Sequence, residues 1–251
     1  MLNFPSAARP LAVTACLAGA LLPLAAKPGN SSNVEIRLLA FQTDFATAEA
    51  YAQDPDAPAE TASIKTPIKT YLNHEFATVA PTARRLVFTT KPDRASLTRE
   101  GEVLGAVTLP EGLRSTILLF LPPKTGSKAS SQIMTIDDSK KAFPAGSFRV
   151  SNLSPQPVRI VLEDKTYEFK PGTIEFIKDP PVRAGNQSGM MAYTFHNNDW
   201  QRIGSGIWPH PGRGRVVQIL FFNPLSDQVQ LRAFDDVAPR APTEQAAKDK
   251  P

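Results

Sequence analysis

Ser147-Phe-Arg-Val-Ser-Asn-Leu-Ser-Pro-Gln-Pro-Val-Arg-Ile-Val-Leu-Glu163 reads as a strand, a proline-marked turn and a second strand. Val158, Ile160 and Leu162 fall on one side of the chain, with Arg159 and Glu163 on the other. That is the period of two expected of a half-buried strand. The same grammar extends in both directions. Runs at 34–41, 63–72, 84–90, 102–109, 115–121 and 132–136 predict strands, each bounded by Pro, Gly, Asn or Asp. Further on, runs at 166–170, 173–178, 189–196, 199–205, 215–223 and 228–234 do the same. No segment carries a sustained 3.6-residue apolar stripe, so the protein is expected to be all-β. Its 24 prolines exceed the average of roughly 5% and favour short elements joined by many turns.

Two stretches look alike. Arg85-Leu-Val-Phe-Thr-Thr-Lys-Pro92 leads through Val107–Gly112 to Ser115-Thr-Ile-Leu-Leu-Phe-Leu-Pro-Pro123. Phe148–Pro155 leads through Tyr167–Gly172 to Thr173-Ile-Glu-Phe-Ile-Lys-Asp-Pro-Pro181. Strand spacings near ten residues suit two antiparallel β-sandwich modules of the immunoglobulin-like sort, an internal duplication or a convergence of generic β patterns. The expected modules are 34–141 and 142–236, preceded by a polar lead-in at 27–33 and followed by a disordered tail at 237–251. Within the first module, 43–60 is acidic and reads as an exposed connection, with one or two helical turns across 46–52. It lacks the ligand spacing and glycine of a calcium loop.

Residues 1–26 read as a cleavable signal peptide: Arg9, then 16 apolar or small residues from Leu11 to Ala26. The run is shorter than a spanning helix needs and is interrupted by Pro23. A secreted or periplasmic destination follows. The rival is lipidation of Cys16 within Val13-Thr-Ala-Cys16, but few apolar residues precede that cysteine. Cys16 is the only cysteine, so cleavage after Ala26 leaves a chain without disulfide or thiol chemistry.

The formal net charge of +4 is spread evenly and forms no basic stripe, which argues against nucleic acid as a partner. No cofactor fingerprint and no metal-ligand spacing occurs. Asn30, Asn152 and Asn186 each open an Asn-x-Ser sequon.

The densest candidate chemistry lies in Tyr193-Thr-Phe-His-Asn-Asn-Asp-Trp-Gln-Arg202 and Ile207-Trp-Pro-His-Pro-Gly-Arg-Gly-Arg215. Asn197-Asn198 fits a two-residue hairpin turn, because Asn tolerates positive φ. In that register His196 faces Asp199 and Phe195 faces Trp200. With His210 folded over, His196, Asp199 and His210 would form a metal or acid–base site. A solvated cross-strand pair explains His196 and Asp199 equally well. Gly204-Ser205-Gly206 lacks the full nucleophile elbow. Arg213 and Arg215, in a glycine-rich turn, could cradle an anion, or simply lead into the next strand. Tyr193, Trp200 and Trp208 could form a platform for stacking sugars, or pack a core. The expected function is a non-catalytic, exported binding or envelope-associated structural protein with a protein or carbohydrate ligand. The alternative is a hydrolase or metal-dependent enzyme built on His196, Asp199 and His210.

Overall fold

A computed structural model describes residues 33–42, 45, 47–73, 75–123 and 128–237. The expected signal peptide, most of the lead-in, His74 and nearly all of the tail lie outside the described residues. Among the described residues no α-helix occurs, and no helix is long and apolar enough to cross a membrane. The chain is all-β, with one short 3-10 turn at Arg94–Leu97.

Eight strands form the first sheet: β1 Val34–Ala40, β2 Glu49–Gln53, β3 Ile64–Lys69, β4 Ala77–Val79, β5 Arg85–Thr89, β6 Val103–Thr108, β7 Ser115–Leu121 and β8 Gln132–Asp137. Their order is β6-β5-β2-β3-β1-β7-β8, with β4 alongside β1. The ends of this path curl toward each other, and Ser130 of the β8 approach donates its N–H to the Val103 carbonyl of β6. A Cβ on Gly105 would sit 2.9 Å from the Ile133 side chain, so glycine lets the two edges close into a near-barrel. Phe88 and Phe120, 5.5 Å apart edge to face, fill its interior with Ile36, Leu38 and Leu118.

The other two sheets use β9 Ser147–Asn152, β10 Val158–Leu162, β11 Lys165–Phe169, β12 Ile174–Lys178, β13 Gln187–His196, β14 Asp199–Pro209, β15 Arg215–Asn223 and β16 Gln228–Asp236. One is ordered β11-β10-β13-β14, the other β12-β9-β15-β16. They share a core in which Val158, Ile160 and Leu162, the alternating residues, meet Phe148, Val150 and Leu220.

Three expectations need correction. The sheets are not purely antiparallel: β1 runs parallel to both β3 and β7, and β15 runs parallel to β9. The look-alike stretches pair differently. β5 pairs with β6, whereas β9 pairs with β12 and β11 with β10, so the likeness stops at alternation of strand and turn. The acidic connection contains β2, which is bonded on both sides and buries Ala50, Ala52 and Gln53. There the gain from completing the sheet outweighs alanine's helical preference. Asn152, which opens one of the sequons, is fully buried. Its amide donates to the carbonyls of Gln156 and Phe169, while its Oδ1 accepts from Ser154, so this sequon is a structural turn.

A third apolar layer joins the two halves. Leu39, Ile117, Leu119 and Ile136 from β1, β7 and β8 meet Val217, Ile219 and Phe234 from β15 and β16. Hence β1 and β7 are buried on both faces, which is why 115–121 is a nearly unbroken apolar run.

At one end of this seam lies a quartet of buried charges. Arg37 of β1 donates to both oxygens of Asp236 and both of Asp138, and also to the Leu72 carbonyl at 2.6 Å. Arg215 donates to Asp236 at 2.7 Å, to Asp138 at 2.5 Å and to the Phe143 carbonyl at 2.7 Å. Burial by itself pushes the Asp236 carboxyl up. The hydrogen bonds and charges of Arg37 and Arg215 outweigh it and hold the group below the ordinary carboxylate value.

Candidate functional site

The β13–β14 hairpin carries most of the residues singled out in the sequence. Asn197 and Asn198 have φ of 51° and 61°, the tight turn expected of them. In register, His196 stands opposite Asp199 and Phe195 opposite Trp200. The His196 and Asp199 side chains nevertheless turn to other partners. An oxygen of Asp199 accepts from the Trp200 N–H at 2.8 Å. His196 Nδ1 lies 3.1 Å from Gln156 Nε2, while Gln156 Oε1 accepts from Thr194 at 3.0 Å. With its oxygen so engaged, the Gln156 amide presents Nε2 as the donor and His196 Nδ1 as the acceptor. This corner forms a small polar cleft of about 150 Å³ that also includes Gln201, Arg202 and Asp227.

His210 is not part of it. It follows the other end of β14, an eleven-residue strand, so at about 3.3 Å per residue it lies roughly 33 Å from the turn. There its Nδ1 accepts from the Gly212 N–H and its own N–H donates to the Asn186 carbonyl. The constellation of His196, Asp199 and His210 is therefore not assembled. Among the described residues no cluster of His, Cys, Asp and Glu is placed to hold a metal.

The aromatic trio is also split. Trp208 pairs with buried Ser188, faces the core and stacks on Phe148 at 4.6 Å, whereas Tyr193 and Trp200 lie on the outer face. The alternation along β13 imposes this, since Ala192 and Thr194 point inward. On the outer face Phe195 packs at 5.2 Å from Trp200, and the Arg159 guanidinium covers the Trp200 ring at 3.9 Å. The stacking surface of Trp200 is thus already occupied. Of the two arginines, Arg213 sits in the exposed Pro211–Gly214 turn, while Arg215 is 7% exposed and belongs to the seam quartet. No shared anion cradle is formed.

The free edge of β14 emerges as a feature that residue chemistry did not flag. This strand ends its sheet, and its pairing with β13 shifts register between Ala192 and Tyr193, which leaves Ile203 as a bulge. Beyond the bulge runs Gly204-Ser-Gly-Ile-Trp208, with no charge and no proline, and Ile207 is 66% exposed. Native edges are usually blunted by Lys, Pro or a cover. A Cβ at Gly204 or Gly206 would meet nothing within 4 Å, and neither residue has positive φ. Packing among the described residues therefore gives no reason for glycine at either position. Beside this edge a cleft of about 390 Å³ opens between β14 and β16, lined by Ile207, Trp208, His210 and Ala233 among others.

Comparison with known protein families finds no match, and comparison with curated proteins finds none either.

Proposed function

We propose that this protein is an exported, non-catalytic binding module that takes an extended segment of another polypeptide as an added strand along β14. The bare Gly204-Ser205-Gly206 edge carries this reading. Glycine in a strand costs stability and marks a close approach of another backbone, and among the described residues nothing lies within 4 Å of a Cβ built at Gly204 or Gly206. Strand addition draws affinity from main-chain hydrogen bonds and specificity from pockets beside the edge. The cleft next to Ile207 and Trp208 supplies such a pocket. His196 contacts Gln156 and His210 accepts from the Gly212 N–H of its turn, and neither is assigned chemistry. Export rests on the signal-like segment 1–26, and mass spectrometry of the mature N-terminus tests it: a start at Lys27 supports cleavage, a lipid on Cys16 replaces it.

Selection of random ten-residue peptides against the full chain tests the binding mode, followed by affinity measurement on Ser205→Pro and Gly206→Pro. Of two neighbouring strand residues, one points its N–H at β13 and the other away. One of the two prolines should thus abolish peptide binding while leaving the sheet intact. Recovery of no peptide, or peptides that bind both variants as tightly as the parent, overturns the reading. Concentration-dependent dimerisation through the same edge would make the occupant a second copy and also overturn it.

A further inference from the structure

Three arginines are buried along the seam: Arg37, Arg149 and Arg215. Two of them share Asp138 and Asp236. Arg149 does not. It is 7% exposed, and its one hydrogen bond among the described residues runs from Nη1 to Ser151 Oγ at 3.0 Å. Among those residues it forms no ion pair, although Asp137 is close enough to favour its charge. Burial lowers the guanidinium to about 10, which is the physical mark of a cation short of counter-charge.

Arg149 lines a cleft of about 480 Å³ where β8 and the β6–β7 turn meet β9. The other walls are Pro110, Glu111, Gly112 and Leu113 of that turn, with Thr135 and Asp137 of β8. Glu111 and Asp137 are exposed at its rim. Asp137 Oδ1 accepts from the Ser139 N–H at 2.9 Å, which fixes the orientation of the carboxylate. The cleft therefore offers a buried cation with no ion-pair partner among the described residues, beside two carboxylates able to accept a cation.

The geometry points to a binding site for a small zwitterion of amino-acid or short-peptide size, its carboxylate on Arg149 and its ammonium on Asp137 and Glu111. A guanidinium binds carboxylate as a fork, with two charge-assisted hydrogen bonds. A plain anion would gain that contact but meet both rim carboxylates, and a plain cation would meet the guanidinium. Only a ligand carrying both charges satisfies the whole lining.

Glycine and glycylglycine are the probes, titrated into the full chain and followed by isothermal calorimetry and by amide NMR shifts at Thr135 and Arg149. Which of the two binds more tightly tells a free amino acid from a peptide terminus. N-acetylglycine keeps the carboxylate and loses the ammonium; glycinamide does the reverse. Saturable binding of a zwitterion, with each blocked analogue at least about tenfold weaker, is expected from the loss of one charge-assisted contact. Asp137→Asn keeps an acceptor for Ser139 and should erase the preference for the zwitterion over N-acetylglycine. Arg149→Gln should abolish binding, and NMR dispersion shows whether that variant is folded. If it is not, the Asp137→Asn result decides alone. No saturable binding of either zwitterion, equal binding of the blocked analogues, or an unchanged preference in Asp137→Asn overturns the proposal.

Discussion

The seam between the two halves and the β13–β14 hairpin hold similar residue types in opposite ways. In the seam, Arg37 and Arg215 are enclosed, and each donates to two carboxylates, Arg37 also to the Leu72 carbonyl and Arg215 to those of Asp138 and Phe143. Against the hairpin, Arg159 of the neighbouring β10 lies across Trp200 and pairs with Glu168 of β11 at the surface, where water competes for every contact. The charges of the Arg37, Asp138, Arg215 and Asp236 quartet are therefore committed to the fold, since no solvent can replace a lost partner. A charge on the hairpin is worth little to stability, and that end of the molecule is open to intermolecular contact.

The largest test of this contrast is Arg37→Ala. It strips two buried carboxylates of half their cationic partners and frees the Leu72 carbonyl, so a loss of about 3–5 kcal/mol is expected. Urea denaturation measures it. A loss below about 1 kcal/mol would mean that water enters the seam and that the two regions do not differ in kind.

Ile219→Ala comes next, at about 3 kcal/mol, because Ile219 is fully buried between the halves and its removal leaves a cavity. Ile207→Ala on the β14 edge provides the contrast and should stay within about 0.5 kcal/mol. If Ile219→Ala instead splits unfolding into two transitions, the seam couples two separately stable cores.

Acid should act on the seam first. The folded Asp236 carboxyl is held below its unfolded value, so its contribution is complete above the unfolded pKa of about 3.9. It is then lost as pH falls through the folded value. Denaturation midpoints measured downward from pH 5 should fall for the parent. For Asp236→Asn they should start lower and fall less steeply. Parallel curves for the two proteins would place the acid-sensitive carboxyl elsewhere.

How far the sequence carried the reading follows from the same contrast. Alternation within one strand is local, so Val158, Ile160 and Leu162 announced β10, and Asn197-Asn198 announced its turn. Parallel pairing is not local. β1 and β7 lie 75 residues or more apart, and nothing in Val34–Ala40 names its partner. Double burial of β1 and β7 did leave a trace in the apolar run 115–121, which is the pattern of a strand covered on both faces. Arg215 read as a turn residue because its partners, at positions 138, 143 and 236, come together only in the fold. His196 and His210 read as one site only with His210 folded over beyond a strand expected at 199–205, but β14 runs on as extended backbone to Pro209. The β14 edge gave its own signal in Gly204 and Gly206, legible only once their empty surroundings were known.

Those glycines give a smaller and sharper test. Gly204→Ala and Gly206→Ala should be neutral or stabilising, by up to about 1 kcal/mol each, because the site is open and alanine restricts the unfolded chain. Peptide affinity at the β14 edge should nonetheless fall. A destabilised Gly206→Ala would show that the fold itself requires glycine, and the argument from bare backbone would lose its basis.

His196→Ala should have the smallest effect of all. The imidazole is exposed, and its one fixed contact is to Gln156, whose oxygen is already held by Thr194. Removing the ring leaves the Gln156 amide free to bond water in the small cleft, so nothing buried loses its only partner. The turn does not depend on it either, because Asn197 and Asn198 set the backbone there. A stability change within about 0.5 kcal/mol is expected by thermal melting. A larger loss would move the hairpin end toward the seam in character, with Gln156, Thr194 and His196 acting as one buried network. The peptide-binding measurements on Ser205→Pro and Gly206→Pro would then need repeating with that end held intact, since damage at the turn could reach the β14 edge through β13.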